Sequence, residues 1–299
     1  MKLRSKLFAM YVAFVGLYSW FLLAAPPSRV AVEQYHLSSL KIRLLYLSII
    51  APLALIWFAA FYGYAKLKQY AELIKKSKDG AQVSRITIGL GILAVGMPTA
   101  NVLGSFLTLI KQSADLDSNF NMVIRHYADV AIPLAAFFVI SMGARGLSRV
   151  AKQQMSLRAN HALTLIAITI GIIYTYIVVN SNNFPSSYFI PEWAVILTLV
   201  IPYVFTWYLG LQAAYEIHLY SKTVAGIVYR RTWNRLALGM GAIILTSITY
   251  QYVAPLTRQL TSLRLAWLLL IVYILLALMA VSYILVALGA KKLQKIEEV

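Results

Sequence analysis

The chain contains no cysteine and few charged residues. Of its 299 residues, 12% are charged and only ten are acidic, whereas 61% are hydrophobic. The lack of cysteine excludes disulfides, thiolate nucleophiles and sulfur-ligated metals. Acidic residues are missing from positions 130–191 and 217–296, and a soluble fold of this size could not bury so much apolar surface. The composition therefore predicts an integral membrane protein without a soluble domain.

Eight apolar segments have the length that a bilayer core requires, which is roughly 17–25 residues. The first of them follows three basic residues, as a signal peptide would. Its apolar run is too long for a signal peptide, and Pro26-Pro27 stands where cleavage would fall. We therefore predict an all-α protein, an eight-transmembrane-helix bundle with spans at about 7–25, 44–65, 86–110, 129–147, 162–181, 193–215, 236–254 and 264–290.

The basic residues are divided unequally between the two sides of the membrane. With the N-terminus in the cytoplasm, the inner segments carry 20 of the 27 lysines and arginines and the outer loops carry seven. This asymmetry follows the positive-inside rule. It predicts a multi-pass protein of a plasma or inner membrane with both termini cytoplasmic. The basic inner surface is expected to attract anionic inner-leaflet headgroups of the lipid bilayer, and no nucleic acid.

The sequence also repeats itself at an offset close to 150. The segment Arg85–Gly91 recurs as Arg235–Gly241. The offset is 156 between helices 1 and 5 and 146 at the ends of helices 4 and 8. Four helices per repeat is an even number, so both halves enter the membrane in the same orientation, related by a pseudo-twofold axis along the membrane normal. We predict two tandem parallel four-helix repeats, 1–155 and 156–299.

Residues that would indicate catalysis or metal binding are scarce. An ionisable residue within a span is the usual functional signal in a membrane protein. Here Asp129, Glu192 and Glu216 fall at helix ends, near water, and no lysine lies in mid-span. The loop from Asp115 to Asn121 imitates the start of a calcium loop but lacks its glycine and its closing glutamate. We therefore predict no catalytic residue, no metal site and no cofactor, and we expect the protein not to be an enzyme.

Uncharged polar and aromatic residues on helices 2, 3, 6 and 7 are candidates to line a cavity between the repeats. Parallel-repeat transporters place their binding sites at such an interface. The alternative is that these side chains only bridge neighbouring helices. The candidate cavity-lining residues are Trp57, Thr99, Asn101, Trp207, Thr249, Tyr250 and Gln251.

Helix 2 is predicted to continue beyond the membrane from Lys66 to Lys78, with a stop at Asp79-Gly80. Its apolar residues recur at helical spacing and form one stripe, which the second half repeats. Three roles are open for these stripes: they dock a protein partner, lie on the bilayer, or pack against each other or the next helix. The candidate cytoplasmic stripe consists of Leu67, Tyr70 and Ile74 in the first half and Ile217, Tyr220 and Val224 in the second.

Three function classes remain open at this level. The first is transport or binding of a neutral or apolar small molecule or lipid between the two repeats. The second is a non-catalytic sensor, scaffold or assembly subunit that engages a protein partner, or a second copy of itself, through its basic cytoplasmic extensions. A membrane enzyme acting on lipid is the third and has the least support. The duplication favours the first class, and the extended stripes favour the second.

Overall fold

The computed structural model of the chain describes residues 2–24, 38–114, 118–180, 196–259 and 265–297. Over these residues the chain is helical except for short turns and contains no strand, so the predicted all-α fold is confirmed. A π-helical turn, Ile196–Val200, leads directly into the sixth helix. The described α-helices are α1 (Lys2–Ala24), α2 (Ser39–Leu73), α3 (Gly80–Ala114), α4 (Ser118–Val150), α5 (Leu157–Asn180), α6 (Ile201–Thr223), α7 (Ile227–Gln259) and α8 (Leu265–Glu297).

Local sequence signals determine where several helices begin. The side chain of Ser38 accepts a hydrogen bond from the Lys41 N–H at 3.4 Å and caps α2. Ser156 caps α5 in the same way, accepting from the Ala159 N–H at 3.2 Å. Serine is among the favoured N-cap residues because its oxygen satisfies an otherwise unpaired backbone N–H. Pro202, which has no N–H to donate, stands in the first turn of α6 directly after the π-helical turn.

Helix α2 ends earlier than the sequence predicts. Its last residue is Leu73, and residues 74–79 form a turn, so the predicted helical extension to Lys78 is wrong. Both the backbone N–H and the hydroxyl of Ser77 donate to the Ile74 carbonyl at 2.8 Å. Serine competes in this way with helical hydrogen bonding, and the close lysines of this segment repel one another. Of the predicted stripe, Ile74 therefore lies just past the helix.

Six helices in the described part of the chain are long and apolar enough to cross a membrane. Helices α6 and α7, which overlap the sixth and seventh predicted spans, are not among them. The number of eight spans therefore stays a prediction. The six candidate spans are Ser5–Ala24, Ser39–Leu73, Gly80–Leu107, Val130–Val150, Leu157–Tyr176 and Leu270–Glu297.

Six of the helices form a closed ring of neighbours. Helices α2, α3, α4, α6, α7 and α8 each contact the next, and α8 contacts α2 again. Helix α1 packs against α2 and α3, and α5 packs against α6 and α7. Bulky buried side chains fill the centre of the ring, among them Phe137, Ile244 and Tyr283. The Tyr283 hydroxyl reaches across the ring to the sulfur of Met97 on α3, at 3.2 Å.

Positions that match in sequence also make matching aromatic contacts. Tyr18 on α1 meets Trp57 on α2 edge-on, with ring centroids 5.3 Å apart. Tyr174 on α5 meets Trp207 on α6 edge-on at 5.6 Å. The first pair becomes the second at the offsets of 156 and 150 found in the sequence.

Two glycines mark the same close helix approach in each half. A Cβ atom at Gly89 would lie 2.6 Å from the backbone oxygen of Ala136, so α3 and α4 touch at this point. A Cβ atom at Gly239 would lie 2.9 Å from the backbone nitrogen of Val286 and 3.1 Å from the oxygen of Ser282, where α7 touches α8. Only glycine permits helices to approach so closely. The contact between α3 and α4 is thus repeated between α7 and α8.

Candidate binding pocket at the basic end of the bundle

The predicted cavity residues on α3 and α7 are satisfied by their own helices. The hydroxyls of Thr99 and Thr249 donate to the carbonyls of Val95 and Leu245, at 2.7 and 2.8 Å, and both side chains are exposed. The Asn101 amide donates to the Met97 carbonyl at 2.9 Å. Tyr250 and Gln251 lie on α7, with side chains outside the described part of the structure.

The two predicted cavity tryptophans are core residues. Trp57 and Trp207 are almost fully buried, and each packs against a tyrosine of the neighbouring peripheral helix. Neither tryptophan lines either of the two pockets described below. The structure therefore does not bring the described members of the predicted cavity set together around one cavity.

The predicted cytoplasmic stripe faces the interior. Tyr70 and Tyr220 both meet Trp233 of α7 edge-on, with ring centroids 6.2 and 5.0 Å away. Of the three roles left open by the sequence, these contacts match the one in which the stripes pack against each other or the next helix. A buried stripe offers no surface to a protein partner. Its other members are buried or half-buried as well: Leu67, Ile74, Ile217 and Val224.

A chain of hydrogen bonds joins these tyrosines to acidic residues. The Tyr220 hydroxyl donates to Asp79 Oδ2 at 2.7 Å. The Tyr70 hydroxyl donates to that of Tyr229, which in turn donates to Glu297. Burial, and secondly the hydrogen-bonded carboxylate, raises the pKa of Tyr220 and of Tyr229 above the ordinary range, so both stay protonated donors. We call the region where the turns 74–79, 151–156 and 224–226 meet the end of α8 the basic end.

A polar pocket of about 220 Å³ opens at the basic end. Helix α4 of the first half supplies one wall, and α5 and α6 of the second half supply the others, with the connection between α4 and α5 at the rim. The lining residues are Arg145, Ser148, Arg149, Gln154, Met155, Leu157, Asn160, Tyr208, Gln212 and Glu216.

Hydrogen bonds orient the two amide side chains of this pocket. The Gln212 oxygen accepts from the Ser141 hydroxyl at 3.1 Å and also from the Arg145 guanidinium. The Asn160 oxygen accepts from the Tyr208 hydroxyl at 2.6 Å. Because both amide oxygens are engaged, the amide nitrogens are the groups left to donate to a bound molecule.

Glu216 is the deepest ionisable group of the pocket. Its side chain is only 5% exposed, and in the described part of the structure its Oε2 is buried without a hydrogen-bond partner. Burial raises the pKa of this carboxyl above its ordinary value of 4.5. The Ser148 hydroxyl, the Met155 N–H and the charges of Arg145 and Arg149 lower the pKa, but they do not cancel the effect of burial.

Arg145 Nε is a second buried polar atom of the pocket. Like Glu216 Oε2, it has no hydrogen-bond partner among the described residues. A buried polar atom left unpaired costs about 1–3 kcal/mol, and native proteins rarely leave one so. The pocket thus places two buried polar atoms that both need a partner beside a space large enough to hold one.

Sequence reasoning missed the burial of Glu216 and of its counterpart. Lys66, which stands 150 positions before Glu216, is of a residue type that is usually exposed. It is buried, and its ammonium donates to the Gln294 oxygen at 2.7 Å. One signal in the sequence could have identified the site. At the offset of 150, two closely matched helices carry a lysine in the first half and a glutamate in the second, Lys66 and Glu216.

The first half has an apolar pocket in the corresponding place. This pocket, of about 210 Å³, lies between α1 and α2. Phe58 and Tyr62 line it, and at the offset of 150 they correspond to Tyr208 and Gln212 of the polar pocket. The two halves therefore share a surface depression but differ in its chemistry, and only the depression of the second half is polar. The other residues of the apolar pocket are Leu7, Phe8, Tyr11, Phe61 and Ala65.

Metal binding finds no support in the described side chains. Among them, no group of three or more histidine, aspartate or glutamate residues could hold a metal ion. The loop that imitates a calcium site, from Asp115 to Asn121, lies outside the described side chains. Comparison of the chain with protein-family models, with curated proteins and with solved structures gives no match.

Proposed function

We propose that this multi-pass membrane protein binds a small molecule or lipid between its two halves, in the polar pocket at the basic end. The observation that carries the proposal is a pair of buried atoms in its wall that have no hydrogen-bond partner among the described residues, Arg145 Nε from the first half and Glu216 Oε2 from the second. A ligand that pairs with both would remove their desolvation cost and hold the halves together. The sequence predicts a different cavity, lined by uncharged residues of helices 2, 3, 6 and 7.

The proposal includes the finer architecture, two tandem four-helix repeats with eight spans in a plasma or inner membrane and both termini cytoplasmic. The matched contacts of the two halves support it. So does the Tyr220–Asp79 hydrogen bond, which brings the end of α6 to the same end of the bundle as the turn between α2 and α3. In this arrangement the pocket occupies one of two equivalent interfaces. The other, between α2 and α8, is closed by Lys66 with Gln294.

Binding has more support than passage across the membrane. Transport would require a path along the axis of the ring, and the described side chains there are closely packed. The geometry therefore favours a ligand held at one end, as in a sensor or a lipid-dependent assembly subunit. Transport would need a second arrangement of the helices in which the centre opens.

The alternative role, a scaffold that engages a partner through basic extensions, draws support from a different surface. The stripe is buried, but Lys75, Lys76 and Lys78 in the turn after α2 are exposed. Such a cluster attracts anionic headgroups by about 1 kcal/mol per basic residue near the surface. We therefore propose anionic inner-leaflet lipid, rather than a docked protein, as the first partner of this turn.

Native mass spectrometry of gently purified protein tests the binding proposal. The wild-type protein is expected to carry a bound small molecule or lipid. Gln212→Leu, which removes both amide donors and acceptors from the wall, should lower the bound fraction strongly. Tyr62→Phe changes the corresponding position of the apolar pocket and should leave the bound fraction unchanged. A ligand retained equally in a folded Gln212→Leu variant, or no ligand in the wild-type protein, would refute the proposal.

A further inference from the structure

We propose that the polar pocket binds a phosphate ester group, either the headgroup of a phospholipid or a soluble phosphate ester. This inference rests on the proposed function and adds the chemical class of the ligand. The amide oxygens of the pocket wall already accept hydrogen bonds within the protein, whereas several donor groups remain available. The Glu216 carboxyl group can also donate when it is protonated.

The free groups of the pocket are mostly hydrogen-bond donors. Within the described part of the chain, the buried Nε–H of Arg145 has no partner, and the amide nitrogens of Gln212 and Asn160 remain after their oxygens are engaged. Arg149 adds a second positive charge at the rim. A phosphate ester has only oxygen acceptors and negative charge, and planar guanidinium groups bind such oxygens with strong, charge-assisted hydrogen bonds.

Glu216 is compatible with a phosphate group only when it is protonated. An ionised carboxylate would repel the phosphate, whereas a neutral carboxyl group donates one O–H to a phosphate oxygen. The charged groups acting on Glu216 are Arg145 and Arg149 of α4, while α5 contributes the neutral Asn160 and no α7 residue lines the pocket in the described part. Burial outweighs these charges and raises the carboxyl pKa, which shifts the equilibrium toward the protonated form. With Glu216 protonated, the pocket holds two positive charges and no negative one.

The surroundings of the pocket fit a ligand with an apolar tail. Met155 and Leu157 stand at its rim, and Leu157 is 76% exposed at the start of α5. The outer face of α5 continues with exposed Leu165 and Ile166. A volume of about 220 Å³ accommodates a headgroup, and acyl chains would lie outside along α5. A soluble ester would use the same donors without the apolar contact.

The test measures affinity in a detergent that contains no phosphate. Phosphatidylglycerol and its deacylated headgroup, glycerophosphoglycerol, are the two probes, and diacylglycerol and glycerol are their phosphate-free controls. We expect one or both phosphate probes to bind, and neither control to bind. Binding of the lipid alone assigns the headgroup, and binding of both probes assigns the phosphate group itself. If neither phosphate probe binds, or if diacylglycerol binds as well as phosphatidylglycerol, the inference is wrong.

Charge-matched variants separate the pocket from general attraction to a basic surface. Arg145→Gln should weaken phosphate binding about tenfold or more, as expected for the loss of a charge-assisted hydrogen bond. Lys291→Gln is the control, because Lys291 stands 146 positions later, at the matching place on α8. Equal losses in the two variants would mean non-specific attraction and would overturn the inference. Arg149→Gln, an exposed rim position, provides a second variant if Arg145→Gln does not fold.

The carboxyl group gives an independent readout. The charge of a phosphodiester does not change near neutral pH, so any fall in wild-type affinity with rising pH reports the ionisation of Glu216. Glu216→Gln, which resembles the protonated carboxyl, should keep the affinity and remove the pH dependence. Loss of binding in Glu216→Gln but not in Arg145→Gln would instead indicate a cationic ligand. A Gln212-dependent ligand without phosphate would refute this inference and leave the proposed function standing.

Discussion

Tyr220 donates a hydrogen bond from its hydroxyl to Asp79 Oδ2 across 2.7 Å, which ties the end of α6 to the turn before α3. The other half has a matching bond at an offset of 150, where Tyr70 takes the place of Tyr220 and Tyr229 takes the place of Asp79. Between the two bonds lies Trp233, which both Tyr70 and Tyr220 contact. The basic end is therefore a junction between the halves as well as the site of the pocket.

Removing the Tyr220 hydroxyl should destabilise the protein. Asp79 Oδ1 is already buried without a partner in the described structure, so Tyr220→Phe would take away the hydrogen bond of its other oxygen. We expect a loss of about 1–3 kcal/mol in the free energy of unfolding. The measurement is thermal unfolding in detergent, with Tyr215→Phe, an exposed position of the same helix, as control. Equal melting temperatures for the two variants would contradict the expectation.

Two glycines on α7 should respond oppositely to alanine. At Gly239 a Cβ atom would lie 2.7 Å from Val286 Cγ2 and 2.9 Å from the Val286 backbone nitrogen, so α7 and α8 would have to separate. Gly239→Ala should cost about 1–3 kcal/mol, as overpacking does. At Gly241 the nearest atom, Ala214 Cβ, is at an ordinary contact distance of 3.6 Å.

Gly241→Ala should therefore be neutral or stabilising, because alanine favours the helix by about 1 kcal/mol over glycine. Comparing the melting temperatures of the two variants removes this shared helix effect. If Gly241→Ala destabilised the protein as much as Gly239→Ala, the close approach of α7 to α8 would not be the cause.

The helices themselves could be predicted because their causes are local. The apolar segments predicted at 44–65 and 86–110 lie inside α2 and α3, which extend four to eight residues further at each end. The burial of Glu216 could not be predicted, since it depends on α4 meeting α6 across the boundary between the halves. Hydrophobic periodicity shows which face of a helix is apolar, but not which helix covers it. A carboxyl group near a helix end therefore looked exposed.

The predicted cavity residues show a second limit of sequence reasoning. A serine, threonine or asparagine in a helix can always bond to a carbonyl of the preceding turn. Thr99, Asn101 and Thr249 do so, and the sequence gives no sign of whether such a group is satisfied in its own helix or faces a ligand. Gln212 and Asn160, which line the polar pocket, differ from these three residues because side chains of other helices donate to their amide oxygens.

The stability of the protein should depend on pH through Glu216. Its pKa is raised in the folded state, so the folded protein holds this proton more tightly than the unfolded chain does. Its contribution is therefore fully present below the ordinary pKa of 4.5 and is lost as pH rises through the raised value. The melting temperature of the wild type, relative to Glu216→Gln, should fall across this range in phosphate-free buffer. Glu72→Gln removes an exposed carboxylate from α2 and serves as the control; an equal trend against both variants would exclude Glu216 as its source.

The number of spans can be decided with single cysteines, since the natural chain has none. Lys76→Cys lies in the turn between α2 and α3, and Ala225→Cys lies in the turn between α6 and α7, both at exposed positions. If all eight helices cross, these cysteines react with an impermeant maleimide from the same side of the membrane, and Ser186→Cys, in a predicted outer loop, reacts from the other side. If only the six candidate spans cross, the polypeptide does not return between α5 and α8, and Ala225→Cys is labelled together with Ser186→Cys. The Tyr220–Asp79 bond favours the first result, because a turn outside the membrane could not reach an acidic side chain on the inside.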